Sequence, residues 1–252
     1  MANHETEAVV LKIFDHGESD KIITFFTSGF GKITAIAKGA KRSKKRFVGK
    51  LELFNHLHIV FADSRYSSLV RIDEAEIINP FPALRSDYQR FVCSTLASEL
   101  VLNWTAEHDQ DENLFHLLTW THGQLTKNAP QATLLLFQLH LFTLLGYHLH
   151  LSSCCQCRVA VDSSRSFSFF SPKNGLVCSP CAALAPEKSS GGLPLSLGTI
   201  RLLEKARQLT VDKWPRLHFS KQSLNETMAL FQGHNDFLLQ RNILSWKELR
   251  AL

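Results

Sequence analysis

The hydrophobic positions change period once along the chain. Before residue 79 they fall in short extended runs; after Pro82 they recur every three or four residues. Residues 8–14 (AVVLKIF), 21–27 (KIITFFT) and 32–38 (KITAIAK) each predict a strand, with Ser28, Gly29 and Gly31 marking a turn. Residues 51–61 (LELFNHLHIVF) predict a fourth strand, with Leu51, Leu53, Leu57, Ile59 and Phe61 on one face. Residues 66–78 resume an extended pattern through Leu69, Ile72 and Ile77. About five short strands at regular spacing predict a small barrel or sandwich, and a closed barrel hides the edges that so small a sheet exposes. Asn79-Pro80-Phe81-Pro82 ends this region.

Helical spacing follows. Tyr88, Phe91, Val92, Thr95, Leu96 and Leu100 predict a first helix capped by Asp87, and Leu114, Leu117, Leu118 and Leu125 a second from about Asn113. Residues 130–145 are apolar nearly all round, which predicts a buried central helix ended by Gly146. Leu197, Ile200, Leu203 and Ala206 mark a later stripe. Ser223-x-x-Glu226, leading into Leu224, Met228, Phe231 and Leu238, and Ser245-x-x-Glu248 both read as capping boxes. The architecture expected is α+β, a β-barrel followed by a helical body.

Charge changes the picture at one place. Residues 38–50 (KGAKRSKKRFVGK) carry Lys38, Lys41, Arg42, Lys44, Lys45, Arg46 and Lys50 and no acid, +7 in a chain whose net charge is +5. The run falls between the third and fourth strands, so it is read as a loop on a β scaffold. It is either a solvated loop or a contact for a polyanion. Residues 91–126, by contrast, hold five acids and no Lys or Arg, an unsuitable surface for a phosphate backbone.

Five of the six cysteines cluster. Cys154-x-x-Cys157 and Cys178-x-x-Cys181 are separated by twenty residues, near the upper edge of a zinc-ribbon spacing. Each pair turns two thiolates toward one side of a tetrahedral ion, and two pairs close its shell. One structural Zn2+ per chain is the expectation. Two disulfides, or a redox pair, are the alternatives; the N-terminus shows no secretory signal and the motif no βαβ setting. Cys155 is surplus, and His148 and His150 lie near enough in sequence to be alternative ligands. Cys93 reads as a small core residue.

Residues 29–34 (GFGKIT) imitate a phosphate loop but lack its spacing, and no hydrolase, zinc-protease or dinucleotide signature occurs. His56, His58, His108, His116, His122, His140 and His218 show no catalytic spacing and read as surface or packed residues. The expectation is a non-enzymatic, soluble intracellular binding protein.

At this point the chain resembles the bacterial RecO family of recombination mediators. The resemblance is carried by Gly17-Glu18-Ser19-Asp20-Lys21-Ile22-Ile23, Gly31-Lys32, residues 37–42 (AKGAKR) and Leu51-x-x-Phe54, then Glu99-Leu100, Leu145-Gly146-Tyr147 and Phe170-Ser171-Pro172. It covers most of the chain in order and loosens after Leu193. Cys155, and Arg158 in place of a glycine, depart from the family's usual C-x-x-C-G knuckle.

The resemblance implies an N-terminal OB-fold (residues 1–80), a helical body (81–150 and 193–252) and a zinc-ribbon insertion (151–192). It also implies a bacterial cytoplasmic, nucleoid-associated protein. Such a protein binds single- and double-stranded DNA, anneals complementary strands and, with RecR, helps RecA load onto DNA coated by single-stranded DNA-binding protein (SSB). The basic run fits such a role, with Phe47, Phe54 and Tyr66 either stacking on bases or filling the core. By residue type, Arg201, Lys205 and Arg207 beside Leu202 and Leu203 are candidates for the acidic, apolar-ended SSB tail. The alternative is an adaptor whose basic loop binds an acidic protein partner.

Overall fold

A computed structural model describes residues 3–63, 69–184 and 191–251. Tyr66 and the start of the expected fifth strand lie outside them. The chain divides into two compact units, Met1–Pro130 with Ser245–Leu252, and Gln131–Leu244.

In the first unit the alternating segments become β1 (Asn3–His16), β2 (Asp20–Thr27), β3 (Gly31–Ala37), β4 (His56–Ala62) and β5 (Val70–Asn79). They close in the order β1-β2-β3-β5-β4, with β4 returning to β1 and a short parallel pairing between β3 and β5. This is the five-stranded OB-fold arrangement. Ala8, Val10, Ile23, Phe25, Ile33, Ala35, Leu57, Ile59, Phe61 and Ile72 fill its interior. The fourth strand is shorter than its alternation implied: Leu51–Asn55 is turn, and Phe54 takes a left-handed backbone (φ 71). Leu51 still enters the barrel core, so its apolar character reflects burial without strand pairing.

The helices α1 (Ala83–Ser86), α2 (Tyr88–Trp104) and α3 (Glu112–Leu125) follow. Asp87 caps α2 as expected, accepting from the Arg90 N–H, and Asp111 caps α3 through the Leu114 N–H. Lys32, the lysine of the imitation phosphate loop, lies on β3 and is 9% exposed. Its ammonium donates to the carbonyls of Leu102 (2.9 Å) and Thr105 (2.6 Å), satisfying orphan acceptors at the negative end of α2. Gly31 beside it adopts φ 62, and a Cβ there would enter the Asp109 backbone. The glycine-lysine pair therefore joins barrel to helix, and no phosphate is needed to explain it.

The last helix, α8 (Ser245–Arg250), belongs to this unit. Here the expected capping box is corrected. Ser245 donates its N–H to the Glu99 carboxylate, and Glu248 accepts from the Tyr88 hydroxyl, so both residues join α8 to α2.

The second unit holds α4 (Pro130–Leu144), which is buried without a break from Thr133 to Leu139. It also holds the ribbon strands β6 (Phe167–Phe170) and β7 (Gly175–Cys178), the turn α5 (Ser179–Ala183), β8 (Leu193–Leu195), α6 (Leu197–Gln208) and α7 (Lys221–Leu239). The second capping box is also corrected. Ser220 caps α7, and Glu226 instead accepts from the N–H (2.9 Å) and hydroxyl (2.8 Å) of Ser196 at the start of α6. The buried stripe of α7 shifts accordingly to Ser223, Thr227, Leu230, Phe231 and His234, leaving Leu224 and Met228 half-buried.

Candidate nucleic-acid interface and metal centre

The seven cations of residues 38–50 sit on one ordered connection between β3 and β4. Phe47 (3% exposed) and Leu51 (2%) drop from it into the barrel core, so the connection is a lid with an apolar underside. Ser43 accepts the Phe47 N–H, and the fully buried Asn55 donates to the carbonyls of Gly49 (3.2 Å) and Lys50 (2.7 Å). Arg85 of α1 completes the anchor by donating to Asn55 Oδ1 (2.9 Å) and the Leu53 carbonyl (2.6 Å).

The β1–β2 turn grips the other end of the loop. Asp20 accepts the Gly39 N–H at 2.8 Å, and this bond, then the Ser19 hydroxyl, holds its carboxyl below the ordinary value. Lys41, 30% exposed, pairs with the solvent-facing Asp15 (3.0 Å), and Arg42 pairs with Glu18 (3.2 Å) largely in solvent, where such pairs exchange readily for other anions. Arg46 donates to the Lys38 carbonyl and lies over the Phe47 ring. Among the described residues no carboxylate pairs with Lys44, Lys45 or Lys50. The same holds for Lys38, whose charge reaches Asp20 without an ion pair, so these four ammonium groups are the uncommitted charge of the loop.

Asn55 and Arg85 were not visible as site residues, since nothing local distinguishes them. Asn55→Ala removes two donated bonds and the Arg85 contact to Oδ1, leaving Arg85 only the Leu53 carbonyl and the Lys50 carbonyl only the Glu52 N–H. A loss of about 2 kcal/mol in urea unfolding is expected, with faster tryptic cleavage at Lys44 and Lys45 as the lid loosens.

Phe47 and Phe54 (1% exposed) are core residues, and Phe54 packs edge-on against Phe91 and His122. Neither can stack on a base without unfolding the lid. Tyr66 lies outside the described residues.

In the second unit the sulfurs of Cys154, Cys157, Cys178 and Cys181 all lie within 4.8 Å of one another, with Cys157 and Cys178 at 3.6 Å. Tetrahedral zinc with Zn–S bonds of about 2.3 Å sets its sulfurs about 3.8 Å apart, so four thiolates here fit one closed shell. The separation is far beyond a disulfide bond of about 2.05 Å. Burial pushes the Cys154 thiol up, but the N–H groups of Cys178, Cys157 and Gln156 outweigh it and bring its pKa down to about 6. Donors aimed at a sulfur are what a metal-bound thiolate requires.

Cys155, His148 and His150 stand outside this group of four. Cys155 packs over Gly175, where a Cβ would come within 2.5 Å of its sulfur. Arg158 occupies the usual knuckle glycine position in a left-handed backbone (φ 62), its N–H donating to the Cys154 carbonyl. The knuckle shape is therefore kept without the glycine. Cys93 is fully buried, and burial raises its thiol to about 12, as an inert core residue.

On α6, Arg201 and Lys205 are exposed and one turn apart, Leu202 is half-buried and Leu203 fully buried. Arg207 is held by both oxygens of Glu204 (2.8 and 3.2 Å). The structure thus brings the loop cations together and the four cysteines together, and among the described residues Arg201 and Lys205 on α6 have no ion pair.

The model for recombination protein O, N terminal, matches residues 1–81, and that for its C terminal matches residues 85–247. The chain belongs to the RecO family. DNA repair protein RecO of Syntrophus aciditrophicus is 33% identical over 98% of this chain and 95% of its own length. That of Syntrophobacter fumaroxidans is 32% identical over 100% and 98%, and that of Myxococcus xanthus 35% identical over 82% and 84%. Membership in RecO supports a recombination-mediator role in DNA repair. The OB-type barrel and the four-cysteine cluster are the two parts of this RecO chain with evident binding chemistry. Among the described residues no helix is long and apolar enough to cross a membrane.

Proposed function

We propose that the chain acts without catalysis, binding single- and double-stranded DNA through its basic lid and annealing complementary strands. With RecR it helps load RecA onto single-stranded DNA coated by SSB, working in the bacterial cytoplasm at the nucleoid. In this reading residues 1–80 bind nucleic acid, 81–150 and 193–252 form the helical body, and 151–192 are a ribbon around one structural Zn2+ held by Cys154, Cys157, Cys178 and Cys181. The SSB tail meets Arg201, Leu202 and Lys205 on α6; Arg207, already neutralised by Glu204, adds less than its position implied.

The observation that carries this reading is the lid: Lys44, Lys45 and Lys50 on an anchored backbone, with no carboxylate partner among the described residues. Fixed cations neutralise phosphates of any sequence and release condensed counterions. Annealing requires only that strand repulsion be screened while base edges stay free, which a backbone-directed surface allows. Lys38 and Arg46 add charge at the rim, and Lys41 and Arg42 do so once their acidic partners exchange for phosphate.

The test is oligonucleotide affinity against salt, paired with annealing of SSB-coated strands. Replacing Lys44, Lys45 and Lys50 with Ala should reduce the log–log slope on duplex by about 2.7 and on single strands by about 2.1, and slow annealing in parallel. An unchanged slope places the DNA elsewhere and leaves the lid to an acidic protein.

A further inference from the structure

One aromatic ring of the barrel is on the wrong side for a core residue. Phe14 is 50% exposed, whereas Phe25, Phe26, Phe47, Phe54 and Phe61 are all buried. The cause is a bulge in β1 between Val10 and Lys12. Alternation would place Phe14 on the inner face with Ala8 and Val10; the extra residue turns Ile13 inward and sends Lys12 and Phe14 out.

The register then builds a row across the outer face. Phe14 is opposite Ile22, Ile22 opposite Ile36, and Ile36 opposite Arg71; the next row runs Lys12, Thr24, Thr34. Ile22 and Ile36 are half-buried beside the open ring. The Lys12 ammonium stands 4.5 Å from the centre of the Phe14 ring. β3, which carries Ile36, runs directly into Lys38, so this face is continuous with the basic lid.

We propose that Phe14, with Lys12, is a base-stacking platform for single-stranded DNA on the outer face of β1, β2 and β3. The inference rests on the reading of this domain as a DNA binder and adds to it a strand-state preference. An aromatic ring flanked by apolar side chains gains from an unpaired base, which offers a free π face; a duplex has no such face to offer. The cation beside the ring suits a phosphate and covers the ring until a base arrives. The lid cations serve both forms of DNA, and Phe14 serves the single strand alone.

The test uses the full chain with a labelled oligothymidylate and a duplex of equal length. Phe14→Ala should weaken the single strand by about 5- to 100-fold, leave the duplex unchanged and leave both salt slopes unchanged. Phe14→Trp should restore single-strand affinity, and Lys12→Ala should lower the single-strand slope by about 0.7. Because Phe14 is half in solvent, unchanged thermal unfolding should confirm that each variant is folded. Equal weakening of both substrates, or none of the single strand, overturns the platform and assigns the ring to a protein contact. If the lid variant weakens binding while Phe14→Ala does not, the platform alone fails. If the unmodified chain binds neither oligonucleotide, the DNA reading fails with it.

Discussion

Replacing Cys178 with Ser should abolish stoichiometric zinc binding and unfold the ribbon while leaving the barrel intact. Cys178 is fully buried, its sulfur lies 3.6 Å from that of Cys157, and its N–H donates to the Cys154 sulfur. Its loss removes one thiolate ligand; the main-chain N–H at 178 still faces the Cys154 sulfur, so the metal shell itself is what the substitution breaks. Metal binding and folding are the same free energy in such ribbons, of the order of 10 kcal/mol for a structural zinc site. The ribbon has little else: β6, β7 and β8 are three or four residues each, packed through Phe167, Phe169, Leu176 and Val177. Metal analysis should fall from one zinc per chain to none, and residues 151–195 should become open to proteolysis. Cys155→Ser should keep the zinc, since that sulfur stands outside the group of four. Full zinc retention by Cys178→Ser would falsify the assignment of the ligands.

The barrel, the change to helices at Pro82 and the four cysteines were legible because each rests on local pattern. Side-chain period, proline pairs and CxxC spacing need no knowledge of what lies across space. What failed was long-range. Ser-x-x-Glu has capping-box spacing at any position along a helix, and in both cases the glutamate found a partner outside its own helix: Ser196 for Glu226, Tyr88 for Glu248. Of the aromatic candidates, Phe47 and Phe54 take the core alternative, while the exposed ring of the barrel is Phe14, for a different reason. Residues 8–14 look like one apolar run, and a bulge at a single position decides which of its side chains meets water. No residue type at Leu11 announces that bulge. Phe47, open in the sequence to either a core or a stacking place, is the apolar plug that holds its charged neighbours in place. The basic run, legible as charge, became a site through Asn55, Arg85 and Asp20, which are ordinary polar residues in the sequence.

Acidification from pH 7.5 to 5.5 should remove about 1.4 kcal/mol from the first unit through His122 alone. His122 is fully buried on α3, edge-on to Phe54 and Phe81, and neither ring nitrogen finds a hydrogen-bond partner among the described residues. Burial, with the nearby His56 adding to it, depresses its pKa to about 3. The unfolded chain, with a histidine pKa of about 6.5, therefore binds a proton that the folded chain refuses. Stability is complete above about pH 7 and falls by about 1.4 kcal/mol per unit as pH drops from 6.5 toward 3. His234 in the second unit is held neutral in the same way, at about 4, between Phe142 and Phe169. Its titration is read less cleanly, because protons also compete with zinc for the cysteines. His122→Leu supplies the decisive comparison. It removes two unpaired nitrogens from an apolar site, so the variant should equal or exceed the parent at pH 7.5. It should exceed the parent by a further 1.4 kcal/mol, or about tenfold in the folding equilibrium, at pH 5.5. Urea unfolding of both proteins at the two pH values measures the difference, and parallel pH profiles would place the acid sensitivity outside the α3 histidine.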